Sequence, residues 1–257
     1  MKSLKEKLEE HYKYFDKSKI SPDPLEFPHR FVEERDIELS GFISSVFAYG
    51  NIKQIMISLE KIHSLISNQP NEFILNFDSK KDKKIFNGFK HRFYTSKDIL
   101  ELFIILNTIY QEYGSLKNYF YMQFNQSNNI KDSIHLFSKG ITSKISKNTN
   151  VSHGFKFMFP DPNKGSAAKR MNLFLRWMVR KDELDFGIWD EIPTSELIIP
   201  VDTHVAKISR ELKLTNIKNV SWKMAEEITN NLKKYDAIDP VKYDFAICHI
   251  GMRKIDF

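Results

Sequence analysis

Apolar residues recur along this chain at the spacing of a helix face, and no run alternates at the two-residue period of a strand for long enough to define one. In residues 33–48, Ile37, Phe42, Ile43, Val46 and Phe47 approximate one apolar stripe, and residues 51–67 read as a second helix joined to the first at Tyr49-Gly50. Thr95 or Ser96 can cap a helix through Ile99, Leu102, Phe103, Leu106, Ile109 and Tyr110 that ends near Gly114; Ser115 can cap the next, through Phe124. Residues 2–15 read as a short charged helix, followed by a proline-bearing loop to Pro28. The polar stretches Gln123–Asn129 and 140–153 read as loops. With 21 Phe and only 9 Gly in 257 residues, a turn-rich all-β fold is disfavoured. The expectation is an all-α protein whose length can bury a substantial core, as one large domain or two closely packed helical lobes.

The residue inventory removes several function classes. A single cysteine, Cys248, excludes an intrachain disulfide framework and any four-cysteine iron–sulfur cluster or zinc site. No metal or cofactor is expected. No run of about 18 apolar residues exists to span a bilayer. The opening Met1-Lys2-Ser3-Leu4-Lys5-Glu6 is charged and lacks an apolar core of signal-peptide length, so a cytoplasmic setting is expected.

The formal net charge is +6, unevenly distributed. Lys131 to Arg180 carries ten Lys and Arg against two acids, whereas Lys181 to Pro200 carries one Lys against six acids. Such blocks are usually a solvated surface; they can also mark a phosphate-facing side and a face turned from it.

Two segments carry candidate chemistry. In the first, Phe159-Pro160-Asp161-Pro162-Asn163-Lys164-Gly165-Ser166 has the composition of a compact turn. A helix follows, in which Met171, Phe174, Leu175 and Met178 share a face. Lys169 falls in its first turn, where the positive helix end disfavours a cation and so favours the free amine, a usable nucleophile. A lone lysine there is more commonly a phosphate contact or a solvated side chain. The second segment is Ile199-Pro200-Val201-Asp202-Thr203-His204-Val205, with Asp202 where a helix should begin. A carboxylate there can accept backbone N–H bonds and feel the helix dipole, both of which keep it ionised. A fixed anion of this kind suits a reaction that builds positive charge on a sugar. An isolated aspartate in that place is ordinarily an N-cap and nothing more.

Taken in order, the turn, the helix with its early lysine and the Val-Asp-Thr-His segment opening another helix resemble the helix-hairpin-helix superfamily of DNA glycosylases. Lys169, within Gly165-Ser166-Ala167-Ala168-Lys169, matches the family's lysine; Asp202 and His204 match its aspartate and the histidine two residues on. The strong part of the match covers roughly residues 155–215, and Ile37 to Gln54 resembles the family's early helix pair. The whole chain also resembles an uncharacterised bacterial family placed in that superfamily. Two departures stand out: the hairpin lacks Leu-Pro-Gly-x-Gly and offers only Gly165, and Lys169 and Asp202 are 33 positions apart, longer than usual. The archaeal-type 8-oxoguanine glycosylases share both features. With only one cysteine, the chain is set apart from the cluster-bearing endonuclease III and adenine-mismatch branches.

The resemblance implies a two-lobed helical glycosylase fold with an atypical hairpin. Residues 35–200, including the hairpin 155–181, would form a central lobe; 1–34 with 201–257 would form the second. It implies a monomer that acts on double-stranded DNA containing a damaged base, 8-oxoguanine above others, and is nucleoid-associated when bound. Lys169 would attack the sugar and form a Schiff base with associated strand-nicking lyase activity, and Asp202 would stabilise the oxocarbenium-like charge. Asn163, Lys164, Gly165, Ser166, Ala167 and Arg170 would meet the DNA backbone, with His204 a further phosphate contact. Trp222 and Phe257 would stack on or accept from the base, and Tyr49 and Asn51 match the region that fills the gap left by a flipped base. Trp177 and Trp189 are further aromatics, each more readily placed in a core. Three alternatives stay open: a monofunctional alkylpurine glycosylase using Asp202 and water, a non-catalytic DNA-binding module of the same scaffold, and a hydrolase of another N-glycoside.

Overall fold

The computed structural model describes residues 2–145, 150–253 and 255. Among these, thirteen α-helices, several single 3-10 turns and one short hairpin make up the regular structure. In chain order these are α1 (Leu4–Tyr14), α2 (Glu34–Phe47), α3 (Ile52–Leu65), α4 (Pro70–Asn76), α5 (Ser79–Asp82), β1 (Lys90–His91), β2 (Tyr94–Thr95), α6 (Ser96–Tyr113), α7 (Leu116–Ser127) and α8 (Ile130–Lys144). They continue with α9 (His153–Met158), α10 (Lys169–Val179), α11 (Thr203–Glu211), α12 (Trp222–Leu232) and α13 (Asp244–Arg253). The all-α expectation holds. No helix among the described residues is long and apolar enough to cross a membrane.

The chain divides into two compact units, one of Pro22–Asp161 and one of Met1–Ser21 with Pro162–Phe257. The terminal segment joins the C-terminal part, but the boundaries fall at residues 21/22 and 161/162 rather than near 34 and 200. The second boundary lies inside the 155–181 segment, so α10 belongs with the termini rather than with a central lobe.

In the unit of residues 22–161, α2 is buried from Ile37 to Phe47 and packs on α3 and α4. Its buried Glu38 accepts from Tyr110 Oη (2.6 Å) and from the N–H groups of Leu116 (2.8 Å) and Lys117 (2.9 Å), so a carboxylate seals the start of α7. Phe73, Phe77, Phe86 and Phe103 form one aromatic cluster beside it.

Three local expectations are corrected here. α7 runs on to Ser127, through most of the loop expected at 123–129, because Gln123 is buried on its inner face and Asn128 closes it in the left-handed conformation. α8 runs to Lys144, into the loop expected at 140–153, because Ile130, Ile134, Phe137 and Ile141 keep one face buried despite the polar composition around them. β1 and β2 pair antiparallel, Lys90 with Thr95 and His91 with Tyr94, in a hairpin too short to leave an alternating pattern.

In the other unit, α13 packs against α11 and α1, and α12 lies beneath the segment that leads into α11. Thr229 Oγ1 of α12 accepts from Ile199 N (3.0 Å), and Ile199, Pro200 and Val201 are buried. The approach to Asp202 is therefore fixed before the helix begins.

Candidate active site

Asp202 is the N-cap of α11. Its Oδ1 accepts from His204 N (2.8 Å) and Val205 N (3.0 Å), which anchors one carboxylate oxygen on the helix start. That leaves Oδ2 for other partners. Lys169, the first residue of α10, puts Nζ 3.7 Å from Oδ2. Both side chains are about three-quarters buried. Two helix starts separated by 33 residues in sequence thus converge on one lysine–carboxylate pair.

The start of α10 is itself constrained. Ala168 sits at φ +47°, the left-handed region that a residue with a Cβ seldom occupies. Asn172 holds the bend, its Nδ2 donating to Ala167 O (3.0 Å) and its N–H to Ala168 O (3.0 Å). Gly165, at φ +86°, turns the chain before it, with its N–H on Pro162 O (2.9 Å) and its carbonyl on Trp222 N (3.1 Å).

The sequence reading missed two neighbours of this pair, both on α13. Cys248 Sγ lies 3.9 Å from Asp202 Oδ2, and one turn earlier Asp244 is buried, held by Arg176 Nη1 at 2.5 Å on its Oδ2, while its Oδ1 has no hydrogen-bond partner among the described residues. Burial pushes the Asp244 carboxyl up to about 6, against the pull of Arg176, and the nearby Asp202 charge pushes the same way while Lys169 opposes it. Lys169 and Arg176 are seven residues apart on one face of α10; Asp244 and Cys248 are four apart on one face of α13. Lys169 thus faces the Asp202–Cys248 level and Arg176 faces Asp244.

Arg176 extends inward into a buried ion network. Asp185 bridges Arg176 (3.2 Å) and Arg180, and Arg180 also engages Asp239 (2.8 Å) and Asp182 (2.9 Å). Cations from the basic stretch and acids from the acidic stretch therefore meet inside this unit. For Arg176 and Arg180 this corrects the reading of the basic block as a solvated or phosphate-facing side.

The remaining expected residues fall in different settings. Asn163, Lys164 and Gly165 are exposed and Ser166 is half-buried, all just before Lys169 in sequence, and His204, two residues after Asp202, is exposed. Ala167 and Arg170 are buried, which takes Arg170 off the surface from which phosphate contact was expected, and the Gly165 N–H is already used within the turn. Trp222, Trp177 and Trp189 are buried at 2%, 0% and 1% exposure, so none offers a stacking face at the surface. Tyr49 and Asn51 lie in the other unit, Asn51 as the N-cap of α3. Phe257 lies outside the described residues. Among the described residues no group of three or more His, Cys, Asp or Glu side chains converges as a metal site would.

An all-α chain with a lysine and a capped carboxylate brought together at two helix starts is the class that the fold and site define. The chain belongs to the family described as Protein of unknown function (DUF2400), whose model matches residues 23–253. No curated protein and no solved structure matches it.

Proposed function

We propose that this protein is a DNA N-glycosylase with associated lyase activity, acting on duplex DNA that carries a damaged base, with 8-oxoguanine the first substrate to test. The observation that carries the reading is the 3.7 Å approach of Lys169 Nζ to Asp202 Oδ2 while the other Asp202 oxygen is tied to the α11 start. A plain N-cap has no use for a lysine at its free oxygen, and a plain phosphate-binding lysine has no use for an anion beside it.

In this reading the damaged nucleotide leaves the stack and presents its sugar to the pair. The glycosidic bond breaks with its electron pair going to the base, which takes up a proton, and positive charge grows on C1′ and the ring oxygen. Asp202, preorganised by two N–H bonds, opposes that charge. The Lys169 ammonium passes one proton to the Asp202 carboxylate, which relays it to the departed base, and the amine so formed bonds to C1′; a second proton moves from that nitrogen to the ring oxygen as the ring opens, leaving a protonated Schiff base. Exposed Asn163, Lys164 and His204 supply backbone contacts. The protein works as a monomer, in the cytoplasm and on the nucleoid.

The test is single-turnover excision on duplexes bearing single lesions, with borohydride added to trap the Schiff base. Trapping by the wild-type protein and its loss in Lys169→Gln, with DNA binding kept, is the expected result. Excision without trapping would move the chemistry to Asp202 and water, and no excision on any lesion would remove the enzymatic reading.

A further inference from the structure

The chain contains one Asn-Gly step, Asn87-Gly88, which lies in the unit of residues 22–161, whereas Lys169 and Asp202 belong to the other unit. It falls in a run of turns between α5 and β1. Phe86 and Phe89 on either side are buried, Phe86 against Phe103 (ring centroids 4.7 Å apart) and Phe89 against Phe47 (5.8 Å). Asn87 and Gly88 between them are exposed.

The turns are closed by their neighbours and leave the reactive groups of this pair unengaged. Asn87 N donates to Lys84 O (3.1 Å) and Phe89 N to Phe86 O (3.0 Å). The Gly88 N–H and the Asn87 side-chain amide have no hydrogen-bond partner among the described residues. Gly88 is at φ +71°, and no heavy atom lies within 4 Å of the place a Cβ would take. The backbone there is bare, since glycine brings no side chain and nothing packs where one would stand. Other exposed asparagines differ. Asn51 Oδ1 accepts from Lys53 N (3.0 Å) and the β-branched Ile52 follows it; Asn76 Nδ2 donates to Glu72 O (3.0 Å) and Phe77 follows it.

A backbone nitrogen that follows an asparagine reaches its Cγ by closing a five-membered ring. The N–H must first lose its proton to solvent hydroxide, and nearby positive charge favours the anion. Lys83, Lys84 and Lys90 are exposed within four positions of Asn87, and Lys61 Nζ stands 5.5 Å from the Phe89 ring. The acids of the segment are taken up by backbone: Asp82 Oδ2 accepts from Asp78 N (2.8 Å), and Asp78 Oδ1 from Lys80 N (2.8 Å) and Lys81 N (3.4 Å).

We propose that Asn87 is a site of spontaneous deamidation, at which the Gly88 nitrogen attacks Asn87 Cγ and expels ammonia. The new N–Cγ bond closes a succinimide as the Cγ–Nδ2 bond breaks, and the departing nitrogen takes up a proton from water. A water molecule then adds to one of the two ring carbonyls and cleaves its bond to nitrogen, leaving aspartate or its isoaspartyl isomer at position 87. One water is consumed and one ammonia released, with no oxidant and no second enzyme. Residues 78–90 hold five lysines against two aspartates, and the product adds a third acid among them. The isoaspartyl form also lengthens the backbone by one methylene between two buried phenylalanines. The proposal does not rest on any chemistry at Lys169 or on DNA as the partner.

The test incubates the folded full chain at pH 7 and pH 8 in heavy-oxygen water, which labels conversions made before digestion. After trypsin, mass spectrometry should find a growing fraction of the Ile85–Lys90 peptide with a labelled carboxyl in place of the amide, resolved by chromatography into two isomers. Conversion should be about tenfold faster at pH 8, because the ionised fraction of a very weak acid rises by that factor per pH unit. Asn87→Gln, which would have to close a six-membered ring, should lose the change, and Gly88→Ala should slow it. An Asn87 that stays intact in the folded chain while the same chain unfolded in guanidinium chloride converts would overturn the proposal, because the fold would then shield the step. Conversion at Asn51 or Asn76 as fast as at Asn87 overturns it too, as does an unchanged rate in Gly88→Ala.

Discussion

Asp202→Asn separates the two jobs assigned to Asp202. Asparagine keeps an oxygen where Oδ1 accepts from His204 N and Val205 N, and it caps helices about as well as aspartate. What it loses is the charge. The stability cost is then the charge–dipole contribution and a partly exposed ion pair with Lys169, together about 1 kcal/mol. In a chain of this size that is a Tm shift of about 2–4 °C. The cost to catalysis is larger. The Lys169 nitrogen lies 3.7 Å from Oδ2, so the sugar carbon it attacks meets the carboxylate at about the same range. A unit charge at about 4 Å in a partly sheltered site is worth about 4 kcal/mol, roughly a thousandfold in rate. Single-turnover excision on an 8-oxoguanine duplex should therefore fall about 100- to 1000-fold in Asp202→Asn with little loss of Tm. Asp202→Ala should match that rate loss and add about 1 kcal/mol of instability for the missing cap. Excision within threefold of wild type in Asp202→Asn would refute the role of the charge.

Three further perturbations follow from the same structure. Asp185→Ala removes the carboxylate that Arg176 and Arg180 share, leaving Arg176 on Asp244 and Arg180 on Asp182 and Asp239 around a buried void, and should cost about 3–5 kcal/mol in urea unfolding; a loss below about 1 kcal/mol would mean that the network relaxes freely. Ala168→Gly relieves a left-handed alanine worth about 1–2 kcal/mol against a glycine entropy cost of about 0.5–1 kcal/mol, so a small rise in the urea midpoint is expected and a fall would contradict the strain. Burial lowers His63 and His91 to about 4 from 6.5, so each stabilises its unit above about pH 6.5 by about 3 kcal/mol, an increment lost as pH falls toward 4. Asp244, raised to about 6, acts oppositely: its unit loses stability as pH rises through the window between 3.8 and 6. Hydrogen exchange at pH 7 and pH 5 should show protection falling in α3 at the lower pH and rising in α13, with Asp244→Asn flattening the α13 response.

The helices were legible where a cap and an apolar stripe coincide. Thr95 caps α6 and Gly114 closes it, Ser115 caps α7, and the Tyr49-Gly50 break falls between α2 and α3 as read. Composition misled where it was weighed above spacing. Residues 140–144 are mostly polar, yet Ile141 carries the buried face of Ile130, Ile134 and Phe137 into them. The β1–β2 hairpin was invisible for a different reason. Its turn has a left-handed arginine where a glycine or asparagine would have signalled the bend, and the reason for that arginine lies over forty residues away at Gly50. The charge blocks misled because a count of charges cannot tell a solvated face from a buried network. Arg176 lies in α10 and Arg180, four residues on, caps its end, but the acids that take them inside come from 182–185, 239 and 244.

Lys169 and Asp202 could be read because each sits at a helix start that local sequence announces. Their distance could not, because it depends on how α10 and α11 are held, and that is decided by residues with no motif of their own. Asn172 ties down the bend before Lys169, Thr229 pins Ile199 ahead of Asp202, and α13 closes behind α11 through Gly251, where a Cβ would sit 3.1 Å from His204 Cβ. The same argument explains why Asp244 and Cys248 escaped notice. Neither is near Lys169 or Asp202 in sequence, and each gains meaning only once α13 lies against α11. Asp202 divides its two oxygens between these levels of organisation: Oδ1 answers to its own helix, which local sequence specifies, and Oδ2 faces Lys169 and Cys248, which only the tertiary fold supplies. A cap alone would need just the first. The second oxygen is where the chemistry proposed for this protein has to occur, and substitutions that move α13 without touching α11 should change excision while sparing the cap.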